Sequence, residues 1–149
     1  MSVIDNFPRP VQGDVFRMLC GEMLGSGAAR EVFECAYDPS LVVKIENAAG
    51  SFQNIAEWQM WWDAQHIPHA AEWLAPCVSI SPCGIVLIQK RTTPAKRYPE
   101  KLPAWLTDTK RTNYGMIGKR FVCHDYGVHL MCNSGLSKRK RKVEWWDAA

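Results

Sequence analysis

Apolar and polar residues alternate in several short segments of the chain, and this period of two is typical of half-buried β-strands. Turns that contain Gly or Pro separate consecutive segments, as Asp38-Pro39-Ser40 does before the third. The segments predicted as strands are Val15–Cys20, Glu31–Tyr37, Leu41–Glu46, Leu74–Ile80 and Ile85–Gln89. Because the connections between the first three are short, we expect an antiparallel meander.

The period changes to that of a helix between Ser51 and Gln65. Ile55, Trp58 and Trp62 recur there at spacings of three and four residues. This predicts an amphipathic helix of about four turns with those residues on its apolar face. Ser51 is placed to cap its N-terminus, and the helix should end before Pro68.

These elements predict an α+β fold with a five-stranded antiparallel sheet and one long helix in about residues 14–90. A Pro-rich connector is expected over residues 91–103, followed by an irregular segment that reaches the basic run near the end of the chain. With 149 residues, the chain is expected to form a single domain.

Composition narrows the class of protein. The chain is 47% hydrophobic and 22% charged, as in ordinary globular proteins, and it contains no run of ~20 apolar residues. Its six Cys form no C-x-x-C pair, so a zinc cage is not expected. The first residues lack the basic start and apolar run of a secretory signal. We therefore expect reduced thiols and a cytoplasmic location.

A glycine turn, Gly25-Ser26-Gly27, stands between the first two predicted strands, and Lys44 lies in the third. Such a turn lets backbone N–H groups approach a phosphate with no Cβ in the way. The alternatives are a plain hairpin turn and a solvated lysine. The turn is not a P-loop, because no G-K-[ST] follows and a strand comes next.

A second polar group occurs late in the chain. Asp108 begins the run D-T-K-R-T-N, which places Lys110 two residues later and Asn113 five residues later. Eleven residues then separate Asn113 from Asp125 of D-Y-G. Carboxylate and amide oxygens are ligands that Mg²⁺ accepts together with phosphates.

These motifs, in this order, resemble those of protein kinases. The glycine turn with Val32 resembles G-x-G-x-x-G-x-V, with Arg30 in place of the third Gly, and V-V-K-I around Lys44 resembles V-A-I-K. The late group resembles H-R-D-L-x-x-x-N followed by D-F-G. The resemblance implies a kinase-like N-lobe followed by a rudimentary C-lobe that carries the catalytic and metal-binding loops.

The resemblance also implies roles for individual residues. The expected ATP-binding residues are Gly25, Ser26, Gly27, Ala28, Val32, Lys44, Ile88 and Gln89. Glu57 on the helix would hold Lys44, with Glu46 and Glu72 as alternatives. Asp108 would orient the acceptor hydroxyl and accept its proton, and Lys110 would neutralise charge on the γ-phosphoryl group. The expected ligands of Mg²⁺ are Asn113 and Asp125.

The chain also departs from the kinase pattern. Leu106-Thr107 stands where kinases have His-Arg, no A-P-E follows Gly127, and there is no room for a helical lobe. Such compactness is typical of proteins from small phage genomes. The expected function is Mg²⁺-ATP-dependent transfer to Ser or Thr of a host protein or of the chain itself, which Lys110 favours. The alternative is a kinase-like protein that binds a host partner through a Trp-rich surface without phosphoryl transfer.

The run Lys138–Lys142, K-R-K-R-K, suggests a third hypothesis. Consecutive basic residues bind nucleic-acid phosphates, and Trp145 and Trp146 nearby would stack on bases. The competing interpretations are a solvated tail and a patch for an acidic protein. His124, beside Asp125, is expected to form hydrogen bonds and not to bind a metal.

Overall fold

A computed structural model of the chain describes residues 18–47, 51–127 and 135–148. These residues form two compact units. The first contains the described residues up to Ile55 together with Cys77–Arg91. The second contains Ala56–Pro76 and the described residues from Thr92 onward.

The first unit is built on one antiparallel sheet. Its strands are β1 Cys20–Ser26, β2 Arg30–Cys35, β3 Leu41–Glu46, β4 Cys77–Ile80 and β5 Val86–Lys90. Their spatial order is β1-β2-β3-β5-β4, and every neighbouring pair is antiparallel. The predicted five-stranded antiparallel sheet is therefore confirmed.

The first strand differs most from its predicted bounds. The prediction began at Val15, and residues 15–17 lie outside the described part of the chain. β1 begins at Cys20 and continues through Gly25 to Ser26, so that part of the predicted glycine turn is strand. Apolar side chains of β2, β3 and β5 form the core of this sheet, with Cys35, Val43 and Val86 buried together.

One main helix, α1, runs over Gln53–Ala64, close to the prediction. Its N-terminus is capped by Glu46, whose Oε1 accepts a hydrogen bond of 2.6 Å from the backbone N–H of Asn54. The hydroxyl of Ser51 also donates to this carboxylate. A carboxylate at a helix N-terminus satisfies an orphan N–H and suits the helix dipole. Glu46 therefore supplies the cap that was predicted for Ser51.

The buried face of α1 is not the predicted one. Asn54 and Glu57 are 0% exposed, whereas Ile55 is 44% and Trp62 is 56% exposed. Burial of a polar side chain requires hydrogen-bond partners, and Asn54 has them. Its Nδ2 donates to the carbonyl of Lys44 in β3 at 3.1 Å and to that of Ile85, the residue before β5, at 2.8 Å.

The second unit contains short elements. These are α2 Pro68–Ala71, β6 Lys101–Pro103, a 3₁₀ turn Arg111–Asn113, β7 Tyr114–Ile117, β8 Arg120–Cys123 and β9 Lys140–Lys142. β6 pairs with β9 and β7 pairs with β8, both antiparallel. The sequence predicted a connector over residues 91–103, which contains β6, and assigned no strand to the residues after it, so these two ribbons are additions to the predicted fold.

Four aromatic rings pack together in the second unit: Tyr98, Tyr114, Phe121 and Trp145. Tyr114 stacks on Phe121 with ring centroids 5.4 Å apart, and Trp145 meets Tyr114 edge-on at 4.9 Å. Aromatic pairs in these geometries contribute about 0.5–1.5 kcal/mol beyond their burial. The cluster therefore joins the β7–β8 hairpin to the segment after β9. Within the described residues, no helix is long and apolar enough to cross a membrane.

Candidate functional site

Three of the predicted nucleotide-binding residues lie in one row across the sheet of the first unit. Gly25 of β1 is paired with Val32 of β2, and Val32 is paired with Lys44 of β3. Directly paired residues project from the same face of a sheet. The structure thus brings Gly25, Val32 and Lys44 together, as the glycine-turn hypothesis requires.

The tip of the β1–β2 hairpin is formed by Gly27, Ala28 and Ala29. The N–H of Gly27 donates to the carbonyl of Arg30 at 2.8 Å, which closes the turn. Neither Gly25 nor Gly27 has a positive φ. A Cβ at Gly25 would meet no atom within 4 Å. The space beside Gly25 is therefore open, and neither the backbone conformation nor packing requires a glycine there. Ser26 is exposed at the end of β1.

Lys44 is 3% exposed, so the alternative of a solvated surface lysine is wrong. An ammonium group withdrawn from water needs acceptors or an opposite charge. Glu46 and Glu72 were the alternatives to Glu57 as the carboxylate that holds Lys44. Glu46 caps α1, as described above, and Glu72 is exposed.

Ile88 and Gln89 lie inside β5, where each is paired on both sides. Ile88 faces Val43 and Ser79, and Gln89 faces Val42 and Cys77. Gln89 is fully buried, and its Oε1 is a buried acceptor with no hydrogen-bond donor among the described residues. The role of Ile88 and Gln89 in ATP binding stays a prediction.

In the second unit, the β7–β8 hairpin returns Asp125 to Asn113. The N–H groups of His124 and Asp125 both donate to the carbonyl of Asn113, at 2.8 and 3.3 Å. The eleven residues between the two predicted Mg²⁺ ligands are therefore mostly a tight hairpin. The spacing of Asn113 and Asp125 was visible in the sequence, and the structure shows that their backbones lie next to each other.

Glu57 is fixed beside the D-Y-G segment. Its Oε1 accepts a hydrogen bond of 2.7 Å from the backbone N–H of Tyr126. Glu57 is 0% exposed and Tyr126 is 1% exposed, so this bond is shielded from water. Glu57 is therefore not an exposed carboxylate on the surface of α1. The hydroxyl of Tyr126 donates to the carbonyl of Ala75 at 2.7 Å, which fixes the ring as well.

The loop of Asp108 and Lys110 precedes the 3₁₀ turn that contains Asn113. Oδ1 of Asp108 accepts a hydrogen bond from the N–H of Lys110 at 3.2 Å, and its carbonyl accepts one from the Tyr114 hydroxyl at 2.8 Å. Burial, the main cause, raises the pKa of Tyr114 and keeps it a donor. Asp108, Lys110 and Asn113 thus share one short segment tied to the start of β7.

His124 has partners at both ring nitrogens. Nε2 lies 2.8 Å from the carbonyl of Thr112, and Nδ1 lies 2.7 Å from the hydroxyl of Thr92. In the neutral ring, Nε2 donates to the carbonyl and Nδ1 accepts from the hydroxyl. This agrees with the hydrogen-bonding role that was predicted for His124.

The donor set available to a metal here is small. In residues 18–47, 51–127 and 135–148, no group of three or more His, Cys, Asp and Glu side chains is placed to hold a metal ion. Asn113 and Asp125, whose backbones are adjacent, carry an amide and a carboxylate side chain. That set fits Mg²⁺, which keeps several waters and takes substrate phosphates as further ligands, and it does not fit a closed zinc site.

The structure around the basic run was not predicted from the sequence. Residues 140–142 form β9, in which Lys140 and Lys142 are exposed and Arg141 is half-buried, so this part of the run is solvated but belongs to a paired strand. Trp145 packs in the aromatic cluster and donates from Nε1 to the carbonyl of Pro99 at 2.8 Å. It is therefore unsuited to the predicted stacking on bases. Lys is depleted in strands, so the composition of the run carried no signal for β9.

A scan against models of protein families found no match, and a search of curated proteins found none either. The resemblance to protein kinases therefore depends on the sequence motifs and stays a hypothesis.

Proposed function

We propose that the chain is an ATP- and Mg²⁺-dependent phosphotransferase that acts on Ser or Thr hydroxyls of a protein. The observation that supports it most is the return of Asp125 to the backbone of Asn113. Two oxygen-donor residues that kinases use for metal lie next to each other, directly after the loop of Asp108.

The first unit contributes what a triphosphate requires. The open space at Gly25 allows the backbone to approach a phosphate without a Cβ in between. Lys44 lies two strands away in the same row and supplies a positive charge. Low exposure of Lys44 strengthens its attraction for phosphate oxygens, because water screens the charge less.

In the proposed reaction, the acceptor hydroxyl oxygen forms a bond to the γ-phosphorus while the bond to the β,γ-bridging oxygen breaks and ADP leaves. Asp108 orients the hydroxyl and accepts its proton. Lys110 faces the negative charge that spreads over the transferred group. Mg²⁺, when held by Asn113 and Asp125, neutralises phosphate charge. Catalysis of this kind is chiefly positioning and charge stabilisation, which a small scaffold can supply.

The test uses ATP labelled at the γ-phosphate, Mg²⁺ and a generic protein acceptor. We expect transfer by the wild-type chain, and a loss of about 10²–10⁴-fold in Asp108→Asn, since a proton acceptor is removed. Asp125→Ala should also abolish transfer. Asp63→Asn is the matched control, because Asp63 is exposed on α1. The proposal fails if the wild-type chain transfers no phosphate, or if Asp108→Asn and Asp63→Asn behave alike.

A second candidate function is binding of a partner protein without phosphoryl transfer. It is favoured by the exposed apolar side chains of α1 and the residue before it, with Phe52 63%, Ile55 44% and Trp62 56% exposed. Exposed large apolar side chains of this kind occur at many protein-binding sites. This candidate predicts no transfer by the wild-type chain, and partner capture that is lost in Ile55→Asp/Trp62→Asp and kept in Asp108→Asn.

A further inference from the structure

The segment over residues 139–147, which we name the C-terminal brace, contacts the loop of Asp108 along its length. The contacts begin at the β6–β9 ribbon, where the N–H of Ala104 donates to the carbonyl of Arg139 at 2.8 Å. They continue at the other end, where Trp146 forms a parallel bridge with Lys110. In this bridge the Trp146 N–H donates to the carbonyl of Thr109 at 3.3 Å, and the Trp146 carbonyl accepts from the N–H of Arg111 at 3.0 Å.

Side chains add to these backbone contacts. Arg141 donates from Nη2 to the carbonyl of Leu106 at 3.0 Å, with the carbonyl of Thr107 at 3.5 Å. Thr109 donates from Oγ1 to the carbonyl of Glu144 at 2.7 Å. Bonds from a guanidinium to backbone carbonyls are charge-assisted and therefore stronger than neutral ones.

Lys110 is held by the brace as well. Its Nζ lies 5.8 Å from the ring centroid of Trp146, within the range of a cation–π contact. The next residue, Arg111, forms a salt bridge of 2.6 Å with Asp147. Both partners of this pair are substantially exposed, so we assign it little energy.

The loop has little regular structure of its own. Residues 104–109 belong to no helix or strand, and Leu106 and Thr107 are the residues that stand in place of His-Arg. A loop without a hydrogen-bond ladder depends on its neighbours for its conformation. Every residue from Leu106 to Arg111 except Asp108 makes one of the contacts with the brace just described.

We infer that the C-terminal brace positions Asp108 and Lys110 for the reaction, with Arg141 and Trp146 as positioning residues. This inference rests on the proposed function. It gives one arginine of the basic run a role within the chain, namely support of the loop of Asp108.

The experiment compares Arg141→Ala with Arg139→Ala. The side chain of Arg139 lies two residues earlier in the brace and is exposed. It also compares Trp146→Ala with Trp146→Phe, which keeps a ring for Lys110. Two quantities are measured on the full chain: hydrogen exchange of the amides of residues 106–113, and kcat and KM for ATP in the transfer assay. The melting temperature is recorded to separate local from global effects.

For Arg141→Ala and Trp146→Ala we expect exchange of the loop amides to rise about tenfold, since one hydrogen bond or its equivalent is lost. We expect kcat to fall about tenfold or more with KM for ATP within about twofold, because misplacement affects the reacting groups. Arg139→Ala should resemble the wild type, and Trp146→Phe should recover most of kcat.

Two results would overturn the inference. One is loop exchange in Arg141→Ala and Trp146→Ala equal to that of Arg139→Ala. The other is faster loop exchange with unchanged kcat, which would make the brace merely structural. Absence of transfer by the wild-type chain contradicts the proposed function instead, and with it any catalytic role for the brace. The exchange data then still decide whether the brace fixes the loop.

Discussion

At the scale of single residues, the glycines show most clearly whether the backbone conformation requires a given residue type. Gly118 has a φ of +60° in the β7–β8 turn, which L-residues rarely adopt. Gly25 has neither a positive φ nor a close neighbour. Neither strain nor packing therefore requires a glycine at position 25, and a substitution there tests the glycine-turn hypothesis without a large change in stability.

We predict that Gly25→Val lowers the affinity for ATP about tenfold by filling the space beside the row of Lys44. Its free energy of unfolding should stay within about 0.5 kcal/mol of the wild type. The control, Gly118→Ala, should lose about 1 kcal/mol of stability through backbone strain and keep its affinity. Calorimetric titration and urea unfolding measure both quantities, and unchanged affinity in Gly25→Val would contradict the glycine-turn hypothesis.

Glu57 has a structural role whatever its role toward ATP. Glu57→Ala removes the acceptor of the buried Tyr126 N–H, and an unsatisfied buried donor costs about 1–3 kcal/mol. We expect that loss in urea unfolding, with a smaller loss in Glu57→Gln, which keeps an acceptor oxygen. The exposed Glu72→Ala serves as the control, and equal stability of Glu57→Ala and Glu72→Ala would contradict this role.

Asp38 gives a prediction for the pH dependence of stability. Hydrogen bonds from the hydroxyl and N–H of Ser40 lower the pKa of Asp38. A carboxyl group whose pKa is lower in the folded state stabilises the fold above its unfolded pKa, and this contribution is lost as pH falls through the folded pKa. In Asp38→Asn, the acid side of the curve of stability against pH should therefore be flatter. Curves of identical slope would contradict the assignment.

At the scale of elements, the sequence predicted what depends on local pattern. β3 occupies the predicted Leu41–Glu46, because its alternation is bounded by the Asp38 turn. The face of α1 was not predictable from its periodicity. Asn54 is buried in place of Ile55 because its side chain donates to the carbonyls of Lys44 and Ile85. Both carbonyls come from residues that lie outside the helix in the sequence.

The elements of the second unit show the same limit. β9 is rich in Lys and Arg, which are poor strand formers, and it is stabilised by pairing with β6. Of the candidate site, the motif spacing predicted which residues to examine. It did not predict the hairpin that returns Asp125 to Asn113, since that depends on pairing across the intervening residues.

The cap of α1 gives a test at this scale. Glu46→Ala should cost about 1 kcal/mol of unfolding free energy, because the N–H of Asn54 loses its acceptor. The exposed Glu22 of β1 provides the control, and Glu22→Ala should change stability by less than about 0.5 kcal/mol. An equal effect of the two substitutions would show that Glu46 is not the cap.

At the scale of the whole molecule, the two units contribute different chemistry. The first holds the glycine turn and Lys44, and the second holds Glu57 and the segment from Asp108 to Asp125. The proposed function predicts that substitutions in either unit affect one and the same binding event, whereas a partner-binding protein without nucleotide makes no such prediction.

Titration of the chain with ATP by isothermal calorimetry, in Mg²⁺ and again in EDTA, tests the central claim most directly. We predict binding in Mg²⁺ that weakens about tenfold or more, or about 1.4 kcal/mol, when the metal is removed. Asp125→Asn should weaken it similarly in Mg²⁺, and Lys44→Met should weaken it under both conditions. Absence of ATP binding, or equal affinity of the wild type and both variants with and without Mg²⁺, would contradict the account.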